Sequence, residues 1–298
     1  MERMMAATGA WSPLVAAIVL NYELPEVTAQ CVESLLASDY DNLQVTIVDN
    51  GSQDGSAEIL HERFPQVAIL ASDRNLLFAG GMNLGLRHAL ALGADYALVM
   101  NNDTLVARDM VSRLVETAEM LPQAGIVAPA IYRTDGRLWA AGSRRRRLWP
   151  FPREVDAVDS PRQPFPVDYV TGCGMLIRCG VLKVIGLFDE RYAMYYEDAD
   201  FCARAAAAGY TIWVEPSAQM VHRVSESARR QAPQSAYAHT RYRIRFYRQH
   251  HQPLWWVGLP LIAFQEGFRI GKDWLAGRRG LAHARLRGLK DGFHQDLP

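Results

Sequence analysis

The chain has 298 residues, which is enough to bury one large core or two modest ones. Its composition, with 49% hydrophobic and 21% charged residues, is that of an ordinary globular protein and excludes an intrinsically disordered one. The four cysteines form no CxxC pair and no regular framework. This excludes a disulfide scaffold and a structural zinc motif, and it predicts a reduced, intracellular protein.

The beginning of the chain predicts a buried strand and not a signal peptide. Residues Met1 to Ala10 carry little basic charge, and the apolar run Leu14–Leu20 is followed at once by polar residues. Elsewhere no apolar stretch reaches the roughly 20 residues that a membrane-spanning helix requires. We therefore expect no segment that crosses a membrane.

Short β-type runs alternate with helix-type runs in the first half of the chain. The predicted strands are Leu14–Leu20, Gln44–Val48, Val67–Leu70, Tyr96–Met100 and Gly125–Ala128, and the predicted helices are Val27–Leu36, Ser56–Phe64, Gly81–Leu92 and Arg108–Leu121. Near-continuous apolar strands between helices predict an α/β fold with a parallel sheet covered on both faces. Because ligands bind at the carboxyl ends of such strands, we expect Asn21, Asp49 and the triplet Asn101–Asp103 to converge.

The regular pattern stops between Tyr132 and Val167. A run of four arginines, Arg144 to Arg147, and several prolines predict one long loop there. Two interpretations remain open, a solvated loop and a basic flap that meets phosphate. Regular structure is expected to return as a strand at Gly174–Arg178, a helix from Glu197 that ends before Gly209, and a strand at Thr211–Val214.

Two glycine-containing segments follow the second and third predicted strands. The first, Val48 to Ser56, begins with Asp49, which can accept a hydrogen bond from the imide N–H of a pyrimidine base. A plain connection between strand and helix explains this segment equally well. The second, Ser72 to Gly85, opens a helix whose N-terminus attracts anions. Its glycines do not match GxGxxG, which disfavours a dinucleotide-binding fold.

Two acidic motifs supply candidates for metal binding and proton transfer. Asp103, at a strand end, suits Mg²⁺ or Mn²⁺ bridging a diphosphate; the alternative is a polar turn in which Asp103 or Thr104 caps the next helix. The segment Glu197–Asp200 begins a helix, whose dipole favours ionised carboxylates, and one of these could deprotonate a sugar hydroxyl. The alternative is simple capping, which is the role expected of Asp200. His222 follows another strand and could complete a metal site, although a single histidine is more often structural.

Together these motifs resemble the family 2 glycosyltransferases of the GT-A fold, and among them the bacterial rhamnosyltransferase-like branch. The matching stretches are Ala17–Tyr22, Val48–Ser56, Asn75–Gly85, Asn101–Thr104, Thr171–Met175, Tyr196–Phe201 and His222. The resemblance implies a GT-A catalytic domain over residues 1–225, with a Rossmann-like, mostly parallel sheet and helices on both faces. Residues 226–298 would form a C-terminal helical extension.

The resemblance also implies a role for each matching residue. Asp198 would be the catalytic base, with Glu197 beside it to hold the acceptor. Asp103 and His222 would bind the divalent metal, Mg²⁺ or Mn²⁺. Because the triplet lacks the first acid of a DXD motif, metal binding is expected to depend on the donor diphosphate. The residues expected to bind the donor are Asn21, Tyr22, Asp49, Arg74, Asn75, Gly81, Asn102 and Asp103.

The activity implied is transfer of a hexose with inversion, from dTDP-rhamnose to a lipid-linked saccharide during cell-surface polysaccharide assembly. The nearer alternative is a UDP-sugar donor, carrying galactose or glucose, because uracil and thymine share the imide edge that Asp49 would bind. The more distant alternative is a non-catalytic protein that binds nucleotide sugars, against which Asp103, Asp198 and His222 argue. No nucleic-acid partner is expected.

The C-terminal region is strongly basic. From Glu226 onwards it has 13 Arg and Lys against 5 Asp and Glu, a balance of +8, so the preceding part carries −8. Its segment Pro253–Phe264 is apolar and contains two tryptophans, which suits the headgroup boundary of a membrane. The alternative is a buried helix with arginines on its solvated face. We therefore expect a peripheral enzyme on the inner, cytoplasmic face of the cytoplasmic membrane.

Overall fold

The computed structural model describes residues 12–146, 149–155, 163–223, 232–250 and 255–294. The expectations for Met1–Ala10, Arg147, and Pro253 with Leu254 lie outside these residues. Within the described ranges, the predicted alternation of strands and helices is present in the first half of the chain. The last part of the chain is helical, as the predicted C-terminal extension requires.

The described elements are as follows, numbered along the chain. The strands are β1 (Val15–Asn21), β2 (Leu43–Asp49), β3 (Ala68–Ala71), β4 (Tyr96–Asn101), β5 (Thr104–Val106), β6 (Ala124–Tyr132), β7 (Leu138–Ala140), β8 (Ser143–Arg146), β9 (Trp149–Glu154), β10 (Phe165–Val167), β11 (Gly174–Arg178) and β12 (Thr211–His222). The helices are α1 (Pro25–Leu36), α2 (Ser56–Arg63), α3 (Leu77–Ala91), α4 (Met110–Met120), α5 (Cys179–Ile185), α6 (Glu197–Ala207), α7 (Ala232–His250), α8 (Trp255–Leu275) and α9 (Arg279–His294).

The main sheet is mostly parallel in its first half and mixed beyond it. Its strands lie in the order β10-β12-β6-β11-β4-β1-β2-β3, and β3, β2, β1 and β4 are parallel neighbours. Strand β11 is inserted antiparallel between β4 and β6, whereas β12 runs parallel to β6. This confirms the predicted α/β class, and the antiparallel insertion is a feature that the apolar pattern did not reveal.

Helices cover both faces of the sheet, which explains why its strands are apolar without alternation. On β1, Val15, Ala17 and Val19 belong to the core beneath α1, α2 and α4. The intervening Ala16 and Ile18 belong to the core beneath α3, α5 and α6. Successive side chains of a strand point to opposite faces, so a strand buried on both faces must be apolar throughout.

The region between Tyr132 and Val167 is not one long loop, and that prediction was wrong. It contains β7, β10 and a hairpin of β8 and β9 that forms its own two-stranded sheet. Prolines are tolerated in β9 because a strand at a sheet edge need not donate all its N–H groups. Arg145 anchors the hairpin: its N–H donates to Asp168 at 2.7 Å, and its guanidinium donates to the His250 carbonyl at 2.6 Å.

Two further elements differ from the predicted ones. Helix α4 begins at Met110, and its N-cap residue Asp109 makes no side-chain capping bond. Thr104 does not cap that helix; it opens β5, and its hydroxyl donates to the Asn101 carbonyl at 2.7 Å. Strand β12 continues beyond the predicted end at Val214 as far as His222. The extension matters because it aligns His222 with β5.

Helix α7 packs on the loop that precedes α6. Its side chains Tyr242 and Phe246 contact Tyr192 and Tyr196, with ring centroids 5.7 Å apart in each of these two pairs. His239, on the same helix, stacks on Tyr195 at 3.8 Å. Helix α7 is therefore joined to the preceding part of the chain by an aromatic contact. The predicted boundary at residues 225 and 226 stays a prediction.

Helix α8 leaves an apolar face uncovered. Its residues Val257, Phe264, Phe268 and Leu275, which we call the α8 stripe, recur at intervals that place them on one side of a helix. Phe264 is 78%, Phe268 70% and Leu275 94% exposed. In the described residues, no helix has both the length and the apolar content needed to cross a bilayer.

Two loops at the carboxyl edge of the sheet touch at Gly51. This residue has φ +77°, and a Cβ built on it would lie 2.3 Å from the carbonyl carbon of Arg74. Gly55, in the same turn, has φ +79° but no atom within 4 Å of a built Cβ. The contact at Gly51 therefore fixes the position of the Arg74–Asn75 loop against the turn that follows β2.

This pair of glycines provides a matched test of that contact. We expect Gly55→Ala to lower the free energy of unfolding by about 1–2 kcal/mol, the cost of an alanine in the left-handed region. Gly51→Ala should cost about 1–3 kcal/mol more, because the two loops must also separate. Urea denaturation of both variants measures the difference. Equal destabilisation by the two substitutions would contradict the contact.

Candidate active site

Three polar residues lie together where neighbouring parallel strands end. In the register of the sheet, Asn21 of β1 is opposite Asp49 of β2, and Leu20 is opposite Asn101 of β4. The predicted convergence is therefore observed. It follows from the sheet itself, because parallel strands in this register end at the same edge.

Asp49 is held in a fixed orientation by donors from two segments. The Asn21 amide donates to its Oδ1 at 2.6 Å, and the Ser52 hydroxyl donates to the same oxygen at 2.7 Å. The N–H of Ser52 donates to Oδ2 at 3.2 Å. Only 3% of Asp49 is exposed, whereas Tyr22 beside it is 37% exposed. The arrangement leaves a buried, oriented carboxylate next to an accessible aromatic ring.

A line of hydrogen bonds connects this carboxylate to the Asn101–Asp103 triplet. The Thr28 hydroxyl donates to the Asn21 side-chain oxygen at 2.6 Å. The Asn102 amide in turn donates to the Thr28 hydroxyl oxygen at 2.9 Å. Asn21 and Asn102 are thus positioned as one network, and Thr28 on α1 is a member that the sequence motifs did not identify.

Asn50, which sequence reasoning also missed, organises the segment before α3. Its amide donates to the Asn75 side-chain oxygen at 3.1 Å and to the Leu77 carbonyl at 3.0 Å, and its own oxygen accepts from the N–H of Leu76. Gly81 is buried against it, since a Cβ built there would lie 3.1 Å from the Asn50 side chain. Asn50 follows Asp49 directly in the sequence, and that adjacency was the available signal.

Arg74 differs from Asn75 in the partners of its side chain. The Arg74 guanidinium makes no hydrogen bond or ion pair to the part of the chain that the structure describes. Asn75, in contrast, is engaged through its side-chain oxygen by Asn50 and by the N–H of Leu77. Both residues are exposed, and of these two predicted donor-binding residues Arg74 is the one whose side chain has no partner within the described residues.

Asp103 and His222 form a buried pair with unsatisfied atoms. The antiparallel pairing of β5 with β12 sets His222 opposite Thr104, so the two side chains meet with Oδ1 of Asp103 3.0 Å from Nε2 of His222. The geometry is not that of a hydrogen bond, and both Oδ1 of Asp103 and Nδ1 of His222 are buried without a partner. Trp139 packs on the imidazole with ring centroids 4.4 Å apart.

The chemistry of this pair fits a divalent metal. Carboxylate oxygens and imidazole nitrogens both bind divalent cations in proteins, and a cation between Oδ1 of Asp103 and Nε2 of His222 would give Oδ1 a partner. Among the described residues, no group of three His, Cys, Asp or Glu side chains could hold a metal ion. The protein thus offers two ligands at most from these residue types there, and the others would come from elsewhere.

Glu197 and Asp198 are two adjacent buried carboxyl groups with different surroundings. Oδ2 of Asp198 accepts from the Tyr169 hydroxyl and from the N–H of Gly172, both at 3.0 Å, and Oδ1 accepts from the N–H of Ala199 at 2.8 Å. Oε2 of Glu197, in contrast, is buried and has no hydrogen-bond partner among the described residues. One carboxyl group is therefore fixed by three donors, and the other keeps one oxygen without a donor.

These surroundings act differently on the pKa values of the two carboxyl groups. Burial raises the pKa of Glu197 well above its ordinary value, and the charge of Asp198 raises it further. Burial also raises the pKa of Asp198, but the bonds from Gly172, Ala199 and Tyr169 act in the opposite direction. Hydrogen bonds to a carboxylate favour its ionised form. We infer that the pair loses its first proton from Asp198.

The loop before these carboxyl groups is strained. Tyr195 and Tyr196 both have φ 71°, which is rare for residues with a side chain. The aromatic packing of α7 on the two rings stabilises this conformation. A part of the chain that is distant in sequence therefore stabilises the segment leading into α6. No local sequence pattern predicts this contact.

Helix α6 has no side-chain capping bond at its start, so the capping role expected of Asp200 was wrong. Its Oδ2 accepts from Arg204 at 2.7 Å, one turn along α6, and its Oδ1 lies 2.8 Å from Nε2 of His250. Gln249 donates to the same Oδ1 at 3.2 Å. The carboxylate thus connects the start of α6 to the end of α7.

Comparison with known proteins places this arrangement in a family. The family model described as glycosyl transferase family 2 matches residues 16–186. A relative from Mycobacterium tuberculosis, named N-acetylglucosaminyl-diphospho-decaprenol L-rhamnosyltransferase, is 27% identical over 277 residues, covering 85% of this chain and 90% of the relative. The galactofuranosyltransferase GlfT1 of Mycolicibacterium smegmatis is 26% identical over 282 residues, covering 91% of this chain and 93% of that protein.

A solved structure shares the fold. The mannosyltransferase PcManGT from Pyrobaculum calidifontis, in complex with GDP-Man and Mn²⁺, matches with a TM-score of 0.59. It is 17% identical, and the match covers 97% of this chain and 77% of that one. This likeness confirms the predicted GT-A fold. The chain accordingly belongs to glycosyl transferase family 2, as a glycosyltransferase similar to bacterial rhamnosyltransferases.

Proposed function

We propose that the protein transfers L-rhamnose from dTDP-rhamnose, with inversion, to a lipid-linked saccharide used in cell-surface polysaccharide assembly. The observation that carries the proposal is the presence, in one chain, of an oriented Asp49, a buried Asp103–His222 pair and a buried Glu197–Asp198 pair. The resemblance to the M. tuberculosis rhamnosyltransferase supports the choice of sugar and of a lipid-linked acceptor.

The donor nucleoside would bind at the carboxyl ends of β1 and β2. Asp49 would accept the imide N–H of the base, because Asn21 and Ser52 already orient its carboxylate. Tyr22 offers an accessible ring beside it, and the exposed Arg74 guanidinium can pair with phosphate. The loops that form this pocket would be kept in position by Gly81, Asn75 and Asn102.

Asp103 and His222 would hold Mg²⁺ or Mn²⁺. The ion, when bound, supplies positive charge that stabilises the leaving diphosphate. With few protein ligands available, donor phosphate oxygens would complete the coordination, so the metal and the donor should bind together. The Mn²⁺ bound to the Pyrobaculum enzyme supports a divalent metal in this fold.

Asp198 would accept the proton of the attacking acceptor hydroxyl. Its three hydrogen bonds fix the carboxylate and keep it ionised at a lower pH than Glu197. Glu197, whose Oε2 makes no hydrogen bond within the described residues, would contact the acceptor. The roles differ because one carboxyl group is held by donors and its neighbour is left for the ligand.

The membrane contact would be made by the α8 stripe. Every exposed charged side chain described on α8 and α9 is basic: Arg269, Lys272, Arg279, Arg287 and Lys290. An apolar face flanked by cations is typical of a helix that lies in the interface of an anionic bilayer. It supports the proposal that the enzyme acts on the inner face of the cytoplasmic membrane, next to a lipid-linked acceptor.

A donor panel tests the proposed function directly. With dTDP-rhamnose, UDP-glucose, UDP-galactose and GDP-mannose, we expect release of dTDP alone, and only with Mg²⁺ or Mn²⁺ present. Release of UDP would instead favour the alternative of a UDP-sugar donor, carrying galactose or glucose. A purified protein that binds donor but transfers sugar from none of them to N-acetylglucosaminyl-diphospholipid would refute the proposal.

Substitution of the two buried carboxyl groups distinguishes their roles. Asp198→Asn should lower kcat by about 10²-fold or more while leaving donor binding intact, because the proton acceptor is lost. Glu197→Gln should keep measurable turnover, and its acid limb should stay where it is in the wild type. The reason is the order of ionisation: Glu197 is still uncharged where Asp198 loses its proton, so an uncharged glutamine leaves the pKa of Asp198 unchanged.

The measurement is the pH dependence of kcat/KM for the wild type and both variants, with donor affinity determined by calorimetry. An inactive Glu197→Gln with an active Asp198→Asn would reverse the assignment of the base. An acid limb that moves to lower pH in Glu197→Gln would contradict the proposed order of ionisation, because it would show that Glu197 is charged where Asp198 titrates.

The α8 stripe can be tested without disturbing the catalytic part. Removing the whole C-terminal region would also remove α7 and its contacts with Tyr195 and Tyr196, so surface substitutions are preferable. The double variant Phe264→Glu/Phe268→Glu should reduce binding to anionic vesicles by at least about tenfold, since each phenylalanine contributes about 1.5–3 kcal/mol when buried.

The matched control for that variant places the same charges on exposed apolar positions away from α8. Met120 and Val184 are 61% and 64% exposed, and Met120→Glu/Val184→Glu should bind vesicles like the wild type. Flotation with phosphatidylglycerol vesicles measures both. Equal loss in the two double variants would indicate an effect of net charge and not of the stripe.

A further inference from the structure

The C-terminal helices enclose a cluster of charged side chains with more cations than anions. Glu266 of α8 is 1% exposed, and three guanidinium groups contact its carboxylate. Arg269 lies 2.8 Å and Arg243 3.0 Å from Oε1, and Arg285 lies 3.3 Å from Oε2. We call these four residues the Glu266 cluster. It joins α7, α8 and α9, because each helix supplies at least one member.

The charge of the cluster is not balanced by the next acidic residue. Asp273 of α8 is shared by Arg285 at 3.0 Å and Arg278 at 2.7 Å. Within the described residues, the extended network therefore has four arginines for two carboxylates. The side chains of Arg269 and Arg278 are 45% and 49% exposed, so an anion can approach their guanidinium groups from solvent.

One member of the cluster is open to solvent. The side chain of Arg269 is 45% exposed, and it follows Phe268 of the α8 stripe in the sequence. Arg285 is 21% exposed. An anion could reach these two guanidinium groups from the surface. The planar fork of arginine matches phosphate oxygens in pairs, which makes such a cluster suited to phosphate groups.

The cluster also adjoins the loop that carries the catalytic carboxyl groups. His239, stacked on Tyr195 and 6.3 Å from the Tyr196 ring, lies one helical turn before Arg243 on α7. The electrostatics agree with this geometry. Burial raises the pKa of Tyr196 to about 12, and Arg243, Glu266, Arg269 and Asp198 each act on its phenol. Tyr196 is thus within electrostatic reach of both the arginines and the proposed base.

We propose that the Glu266 cluster binds the diphosphate of the lipid-linked acceptor. This inference rests on the proposed function. Diphosphate binding by the cluster would explain the order of three features of the protein. The carboxyl groups proposed to act on the acceptor hydroxyl come first, the arginines follow, and the apolar α8 stripe comes last. A saccharide–diphosphate–lipid presents the same three chemistries in the same order. The arginines would hold the acceptor by its most strongly charged part, and the apolar tail would continue into the membrane.

The test compares acceptors that differ only in the diphosphate. One carries N-acetylglucosamine on a short polyprenyl diphosphate, and the other carries the same sugar on an uncharged octyl group. We expect Arg269→Gln to raise KM for the first acceptor by at least about tenfold, the effect of losing one charge-assisted hydrogen bond. KM for the octyl acceptor and for the donor should stay within about twofold of the wild type. Arg269→Lys should restore part of the loss.

Lys272→Gln is the matched control, because it removes the same charge from the same helix outside the cluster. This control distinguishes two possible sources of the bound phosphate, the acceptor diphosphate and the anionic lipid headgroups. If headgroups were the ligand, both variants would weaken vesicle binding alike and leave the ratio of the two KM values unchanged, and the proposal would be overturned. Arg269→Gln should fold, because Glu266 keeps its contacts with Arg243 and Arg285.

A second measurement does not depend on turnover. Inorganic pyrophosphate, titrated by calorimetry in EDTA so that no metal site contributes, should bind the wild type and Lys272→Gln about tenfold more tightly than Arg269→Gln. Equal binding by all three would overturn the inference even if the enzyme transfers sugar. Failure of the wild type to transfer sugar to any acceptor, with this difference in pyrophosphate binding retained, would instead refute the proposed function alone.

Discussion

The parallel register of β1 with β2 and β4 is the constraint on which the rest of the site depends. It brings Asn21, Asp49 and Asn101 to one edge of the sheet, where α1 and α3 begin. Once these strands are paired, Asn21 can orient Asp49 and Thr28 can join Asn21 to Asn102. These hydrogen bonds require no unusual backbone conformation, because the pairing of the strands already fixes the backbone positions from which the side chains extend.

Antiparallel strand pairs in the second half of the sheet complete the site. Antiparallel β11 is preceded by Gly172, whose N–H reaches Asp198, and the long β12 sets His222 beside Asp103. Both arrangements bury groups that prefer water. The cost is offset for Asp198 by three donors, whereas Glu197, Asp103 and His222 keep buried atoms without partners. Unsatisfied buried atoms are rare in folded proteins, and they occur here where ligand and metal are proposed to bind.

The C-terminal helices are structurally part of this site. Helix α7 stabilises the strained Tyr195–Tyr196 segment through aromatic contacts, and its end is joined to α6 through Asp200 and His250. The hairpin of β8 and β9 is anchored to the same place by Arg145. A region that matches no sequence motif thus supports the two carboxyl groups. The helices that follow α7 are thereby attached to the part of the chain that carries the Glu197–Asp198 pair.

The amino-acid sequence alone determined the α/β class, the strands β1 to β4, and the residues at their carboxyl ends. These follow from apolar runs and turn residues, which act over short distances along the chain. It also pointed to Asp103, His222, Glu197 and Asp198 through a specific resemblance. The hairpin between Tyr132 and Val167 was missed, because an arginine- and proline-rich segment has no apolar period to reveal a strand that pairs only with its neighbour.

Only the tertiary structure decided which groups are satisfied and which are left for a ligand. Asn50 and Thr28 become part of the site through contacts with residues far along the chain. The different surroundings of Glu197 and Asp198, and the surplus of arginine around Glu266, likewise arise where separate elements meet. Burial, hydrogen bonding and charge balance depend on three-dimensional neighbours, and a linear pattern does not contain them.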